Sequence, residues 1–389
     1  MRSRTKKIFI FALSSAAIIG IVPGIMIATI NPGLVAANHL IGHRGWSAKY
    51  FQNSYAAFYN AVKKDDSKFW GAETDLQMDK DGIIWCSHYI NPFEDGSLKI
   101  DELRTEQINS LYLKTYGNID TSTLPSKAFP TGNLNPYKID VPHDADNDQL
   151  CLFLDKDGQN QLGDPVPTSN GKGYLNAFLN NHAHPVIELK VESVLSQDVV
   201  NGCMTIDPTK VTTLINTVLD DIIVADQQTS STQSLLSRCY FVSFFDDLLA
   251  ETIKQMSENP YFNHVGHHQF QKLLDDGGVG QYVLSNNRGF TNQTPGEKSG
   301  SNTNFNNYAK YTDGSWLQLD VGRNYPIGLD VYYAFVTSQM IANAHRNGVE
   351  VNCWTADYSR TEIAEAISLD ILAKHGCDYI TTDEWYDLK

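Results

Sequence analysis

Nine short strand-like runs, each bounded by turn residues, recur between Leu40 and Thr381, and helix-like segments fill many of the gaps. The runs cover residues 40–43, 72–77, 83–87, 186–190, 240–244, 281–284, 327–332, 349–354 and 378–381. Apolar residues at helical spacing mark 54–64, 210–226, 246–257, 337–346 and 361–375. Alternation of strand and helix builds a parallel sheet, because each helix carries the chain back to the start of the next strand. One junction differs. Only Met78-Asp79-Lys80-Asp81-Gly82 separates the second run from the third, and a parallel crossover needs about a dozen residues. Asp-Gly is also a tight-turn pair, so the third run should fold back antiparallel on the second. Eight parallel strands remain, the number that closes a (β/α)8 TIM barrel, an α/β fold. We therefore expect one barrel domain over 38–389, with an antiparallel hairpin after strand 2. A long inserted loop region is expected at about 112–170, where Pro, Gly, Asn and Asp are frequent. A second aperiodic stretch, 285–315, is rich in Asn and reads as a solvated loop or a substrate-contacting insert.

Three of the runs end in polar patterns: His43-Arg44-Gly45, Glu73-Thr74-Asp75 with Ser87-His88 beyond, and Glu188-Leu189-Lys190. Residues two apart on a strand share a face, so Glu73 projects with Asp75 and Glu188 with Lys190. Adjacent carboxylates repel, and burying them requires a cation between them. Oxygen ligands from Glu73, Asp75 and Glu188 suit one divalent cation, Ca²⁺ or Mg²⁺, better than zinc. An exposed strand carrying two solvated carboxylates is the competing interpretation. His43 and His88 titrate near neutrality and can serve as acid and base, or can be structural. Arg44 offers a planar fork and Lys190 a point charge to phosphate oxygens; an ordinary ion pair would use Arg44 as well. A glycosidase also needs two carboxylates, but not two histidines and two cations converging with them. Phosphoryl chemistry accounts for more of these residues.

The formal charge is −15, and the first seven residues hold four basic and no acidic side chains, so the remainder carries −19. An acidic body of that kind argues against nucleic acid as a partner. The basic start leads into an apolar run over 8–30 broken by Gly20, Pro23 and Gly24. Asn31-Pro32-Gly33 then stops a helix, and Val35-Ala36-Ala37 offers small residues for cleavage. Residues 1–37 thus read as a signal peptide or, uncleaved, as a membrane anchor through 8–30. Either places the body outside the cytoplasm, secreted or periplasmic. The six cysteines form no CxxC pair. Cys86 and Cys353 lie in apolar strand-like runs and are expected as buried free thiols. Cys151, Cys203 and Cys239 are better disulfide candidates.

The chain resembles the glycerophosphodiester phosphodiesterase family in an ordered set of motifs. They are Ile41-Gly42-His43-Arg44-Gly45, Asn53-Ser54, Ala57-Phe58, Ala72-Glu73-Thr74-Asp75-Leu76-Gln77, Lys80-Asp81-Gly82 and His88. The pattern continues through Leu98 to Leu103, Pro167-Thr168, Ile187-Glu188-Leu189-Lys190, Ser243-Phe244, Trp354-Thr355 and Thr382-Asp383. The resemblance implies a barrel hydrolase that releases glycerol 3-phosphate and an alcohol from a small glycerophosphodiester or lysolipid. It implies a divalent metal held by Glu73, Asp75 and Glu188, and catalysis by His43 and His88. Arg44 and Lys190 fall where the family contacts phosphate, and Trp354 matches an aromatic near the barrel mouth. Some positions depart from the pattern. Phe51-Gln52-Asn53-Ser54 stands where Pro-Glu-Asn-Thr is usual, Tyr89 stands where an Asp is usual, and one extra residue separates Phe244 from Asp246. These departures bear on the substrate rather than the chemistry. Two alternatives follow: a lipid-directed phospholipase D of the sphingomyelinase type, or a non-catalytic barrel that binds headgroups. The lipid-directed group more often has Asp where Glu188 stands and lacks the Arg44-Gly45 pair.

Overall fold

The computed structural model describes residues 39–47, 50, 52–63, 69–93, 95–108, 111, 151–153, 173–200, 203–264, 269–274, 283–284, 327–333, 336–356, 369 and 371–383. Its strands are β1 (His39–Gly42), β2 (Gly71–Met78), β3 (Ile84–Cys86), β4 (Cys151–Leu152), β5 (His184–Leu189), β6 (Leu195–Val200) and β7 (Cys203–Ile206). They continue as β8 (Tyr240–Ser243), β9 (Gln269–Leu274), β10 (Val283–Leu284), β11 (Ile327–Tyr332), β12 (Glu350–Ala356) and β13 (Tyr379–Thr382). Eight of these form a ring in the order β1-β2-β5-β8-β9-β11-β12-β13, every neighbour parallel. The seam closes through β1 and β13, with His39 opposite Tyr379 and Gly42 opposite Thr382. This is the expected (β/α)8 architecture.

The two-residue period of a strand divides the core in two. One set of side chains, including Leu40, Ala72, Ile187, Phe241, Leu329, Val351 and Ile380, packs outward in the large cluster shared with the helices. The alternate set, Ile41, Val186, Val242 and Tyr379, fills the lumen with Trp70, Tyr240, Phe244 and Trp354 against it. Helix α1 (Tyr55–Val62) begins where the Ser54 hydroxyl accepts the Ala57 N–H, and buries Ala57, Phe58, Ala61 and Val62. Helix α2 (Pro208–Gln228) has Asp207 as its cap and Pro208 at its first turn. It buries Val211, Leu214, Ile215, Val218 and Leu219 along one face. Helices α3 (Asp246–Glu258) and α4 (Ser338–Arg346) follow β8 and precede β12. At the N-terminal ends of the strands Trp70 stacks on His184 with ring centroids 3.7 Å apart, and Tyr379 and Tyr240 pack beside it. Aromatic rings therefore fill the lower lumen.

The expected hairpin is present. β3 runs antiparallel to β2, and β4 extends it on the far side. The Asp79 carboxylate organises the turn, accepting the N–H groups of Asp81 and Ile83 at 2.9 Å each and the Trp85 indole at 2.9 Å. Gly82 takes the left-handed conformation there, φ 87°.

Three expectations need correction. The fifth barrel strand is β9, residues 269–274, and not 281–284. Val283 and Leu284 instead pair with Met204 and Thr205 in a separate three-stranded sheet. Gln269-Phe270-Gln271-Lys272 holds a single apolar residue and resembles a solvated stretch, whereas Tyr282-Val283-Leu284 is the more apolar run. Strands β6 and β7 were not anticipated, although Asn201-Gly202 between them is a strong hairpin signal. Cys353 is not a free thiol: it forms a disulfide with Cys377, just ahead of β13. Cys151 and Cys239, like Cys86, are buried and outside any disulfide, so the disulfide expected among 151, 203 and 239 does not include them. Pairing follows proximity across neighbouring strands, which linear spacing does not encode. The Cys203 side chain, residues 1–37, nearly all of 112–170 and all of 285–315 lie outside the described residues. Among the described residues no helix is long and apolar enough to cross a membrane.

Candidate active site

The C-terminal ends of β1, β2 and β5 place the three polar patterns around the mouth of the lumen. After β1 the chain turns sharply through His43-Arg44-Gly45. Arg44 and Gly45 both have positive φ, 54° and 83°. A Cβ at Gly45 would sit 2.6 Å from the backbone of Ala57, so only glycine fits between this turn and α1. The turn aims the Arg44 N–H at Glu73, with a 2.8 Å hydrogen bond to Oε2. Asn53, also at positive φ (57°), ties the turn to β2. Its N–H donates to the Arg44 carbonyl, its Nδ2 donates to Asp75 Oδ2 at 2.9 Å, and its Oδ1 accepts from Thr74. Two non-glycine residues held in a costly backbone conformation at one site mark a constrained constellation.

Glu73 and Asp75 share the inner face of β2, and Asp75 stands in register with Glu188 on β5. One oxygen from each of the three lies within 4.8 Å of the others, all on buried residues. Lys190 Nζ bridges Asp75 Oδ1 (2.9 Å) and Glu188 Oε1 (2.7 Å), and Arg44 Nε approaches Asp75 Oδ2 at 3.2 Å. Burial disfavours the Asp75 charge, but Lys190 and then Arg44 outweigh it and hold that carboxyl well below its ordinary range. Glu73 goes the other way. Burial first, then repulsion from Asp75 and Glu188, raises it well above the ordinary range. Burial likewise pushes Glu188 up to about 7. Glu73 Oε1 is buried with no hydrogen-bond partner. An all-oxygen cluster with an unsatisfied, protonation-prone carboxylate is chemically suited to a hard divalent cation, and these residues fit one.

The histidines flank this cluster. His43 Nδ1 lies 2.7 Å from Asp383 Oδ1, at the end of β13, and Ser47 Oγ donates to the same oxygen at 2.7 Å. The carboxylate accepts, so Nδ1 carries the proton and Nε2 is left for the cavity. His88 follows the hairpin strand β3. Burial, then Lys190 and Arg44, lowers its pKa well below the usual value, so it is neutral at pH 7. Its Nδ1 is buried without a partner. Arg44 Nη1 reaches Gln52 Oε1 at 2.5 Å, so the amide at this departure from the family pattern still receives the guanidinium. Trp354 stands opposite, edge-on to Phe244 and Tyr332 with centroids 5.9 and 5.3 Å away.

His43, Arg44, Glu73, His88, Glu188, Lys190 and Trp354 line one cavity of about 190 Å³, and Asp75 lies directly behind it. All eight residues singled out from the sequence are brought together. Asn53, Gln52 and Asp383 were not assigned roles, although Asn53 and Asp383 sit within quoted motifs. Asp330, which also lines the cavity, carried no sequence signal.

A barrel of this kind, with carboxylates, cations and histidines gathered at the strand C-termini, defines a phosphate-handling class of protein. Residues 43–153 match the model of the glycerophosphoryl diester phosphodiesterase family. The resemblance read from the sequence holds over that segment, and the family is one of phosphodiester hydrolases. No curated protein matches the chain. Among solved structures, a Silicibacter pomeroyi protein described as a glycerophosphoryl diester phosphodiesterase is 16% identical, with a TM-score of 0.51 over 90% of this chain and 92% of its own. A glycerophosphodiester phosphodiesterase of Parabacteroides distasonis is 15% identical, TM-score 0.46, over 89% and 93%. An Oleispira antarctica phosphodiesterase in complex with the product sn-glycerol-3-phosphate is 12% identical, TM-score 0.47, over 90% and 94%. At 16% identity the Silicibacter likeness speaks for the fold alone.

Proposed function

We propose that this chain is an exported, metal-dependent phosphodiesterase that hydrolyses small glycerophosphodiesters to glycerol 3-phosphate and an alcohol. The carrying observation is the cavity itself: three oxygen ligands within 4.8 Å, two cations and two histidines at one barrel mouth. Glu73, Asp75 and Glu188 would hold one divalent cation, Ca²⁺ or Mg²⁺, which when bound supplies positive charge to the phosphate oxygens. Arg44 and Lys190 add fixed charge there, which counts most as the transition state forms. Trp354 packs against the substrate's alcohol side.

His88 is the group free to accept a proton, because burial, then Lys190 and Arg44, keep its ring neutral. It takes the proton of the glycerol 2-hydroxyl as that oxygen attacks phosphorus. His43 takes the acid's part through Nε2, with Asp383 holding the ring at Nδ1. It protonates the departing alcohol oxygen as the P–O bond breaks. The cyclic phosphate is then opened by water. His43 accepts the water proton and His88 returns its own to the 2-oxygen, so both rings regain their starting states.

Export is supported by the Cys353–Cys377 disulfide, a bond rare in reducing compartments, together with the basic and apolar leader. Release of glycerol 3-phosphate from glycerophosphocholine tests the reading. Turnover should require Ca²⁺ or Mg²⁺, stop in EDTA and disappear in His43→Ala. Turnover of micellar lysolipid without glycerophosphocholine hydrolysis would move the assignment to the lipid-directed enzymes.

A further inference from the structure

Cys86 and Cys151 are buried side chains that neither the barrel mouth nor the Cys353–Cys377 bond uses. They stand 65 positions apart in the sequence, yet the antiparallel pairing of β3 with β4 sets them directly opposite one another. Opposed residues of an antiparallel pair share a face, with Cα atoms about 4.5–5.5 Å apart. A disulfide spans Cα separations of about 4.4–6.8 Å, so the backbone already stands where such a bond needs it. The register runs on past the cysteines: the Phe153 N–H donates to the Ile84 carbonyl at 3.0 Å. The side chains meet as well. Burial first, then a side-chain hydrogen bond with Cys86, raises the Cys151 thiol well above its ordinary pKa. Both sulfurs lie in the main hydrophobic core, away from solvent.

We infer that Cys86 and Cys151 are the two halves of a second disulfide, closed while the chain folds under oxidising conditions, which staples the hairpin strand leading to His88 onto β4. The bond forms whatever substrate the barrel mouth takes. Its oxidant is a small-molecule or protein disulfide, the class of donor that the Cys353–Cys377 bond also calls for. The thiolate of one cysteine attacks the donor, giving a mixed disulfide and releasing one donor thiolate. The second cysteine's thiolate attacks the mixed disulfide at its protein-bound sulfur, and the other donor thiolate leaves. The two protons lost by the cysteines end on the two donor sulfurs, and the donor, gaining two electrons, becomes a pair of thiols. In the finished barrel burial keeps the Cys151 thiol protonated and shields both sulfurs from a donor. Exchange therefore belongs to the folding chain, before β4 docks, and the closed bond is shielded from reductant in the same way. β4 is only two residues long, so a covalent tie adds much to its hold on β3. His88 follows Cys86 by two positions and shares in that hold.

Refolding the reduced, denatured full chain in a buffer of oxidised and reduced glutathione tests this, with thiol alkylation and non-reducing peptide mass mapping as the readout. Cys353–Cys377 serves as the internal control for oxidation. The expected map links Cys86 to Cys151 in most molecules. Alkylation of both Cys86 and Cys151 in chains whose Cys353–Cys377 bond has formed overturns the proposal. So does a link from either one to Cys203 or Cys239. A substitution cycle on the oxidised protein gives a second readout. Cys86→Ala and Cys151→Ala break the same bond, so each should lower the thermal midpoint by several degrees, and the double variant by scarcely more than either alone. Losses that simply add in the double variant would mean two separately packed thiols and no bond. The map is read on wild type, so it decides the matter even where an alanine variant fails to fold.

Discussion

His43 shows how much a single contact decides. Its ring is fixed by Asp383, 340 positions away, through a 2.7 Å hydrogen bond that Ser47 reinforces. Without an anionic acceptor the ring can turn or change tautomer, and Nε2 is no longer held toward the cavity. Asp383→Asn should therefore lower kcat by about a hundred-fold or more while KM for glycerophosphocholine stays within a few-fold. A parallel fall in kcat and thermal midpoint would instead mark Asp383 as structural. Single-residue chemistry was only half visible in the sequence. The histidine and the arginine stand out because they follow an apolar strand directly. Asp383 looks like any acidic residue near a chain end until the barrel closes and brings β13 beside β1.

At the scale of elements, β2 and β5 act as one rigid frame. Parallel register sets Asp75 opposite Glu188, and the pleat puts Glu73 on the same face. Two of these carboxyls are pushed up, Glu73 strongly and Glu188 to about 7, so near pH 6 they retain protons that an incoming cation must displace. Mg²⁺ or Ca²⁺ affinity should then rise as pH increases from about 5.5 to 8, with about one proton or more released per ion. Calorimetry at pH 6.5 in two buffers of different ionisation enthalpy reads the proton count. Binding that releases none and ignores pH would place the ion elsewhere. Elements were legible where local pattern and tertiary role agree. α1, α2, α3 and α4 fall close to their expected limits because their caps and apolar stripes are local. β9 was missed because a strand that starts with mostly polar residues does not announce that it is part of a closed sheet.

The whole molecule depends on closing a ring whose first and last strands are 340 residues apart. The Cys353–Cys377 bond ties β12 to the entrance of β13, beside that closing seam, and spans 24 residues. Replacing both cysteines with serine should cost about 2–4 kcal/mol in urea unfolding, and reduction of the wild type should shift its midpoint the same way. Equal midpoints for oxidised and reduced protein would show that packing alone holds the seam.

By itself the amino-acid sequence determined the fold class, the hairpin after strand 2 and the eight residues that meet at the mouth. Each of these follows from local rules: alternation of strand and helix, a junction too short for a crossover, and polar residues that end apolar runs. Tertiary structure alone decided the identity of the fifth strand, the disulfide pairing and the hold of Asp383 on His43. Those depend on strand register and on which distant segments become neighbours, and neither is encoded in any local stretch of chain.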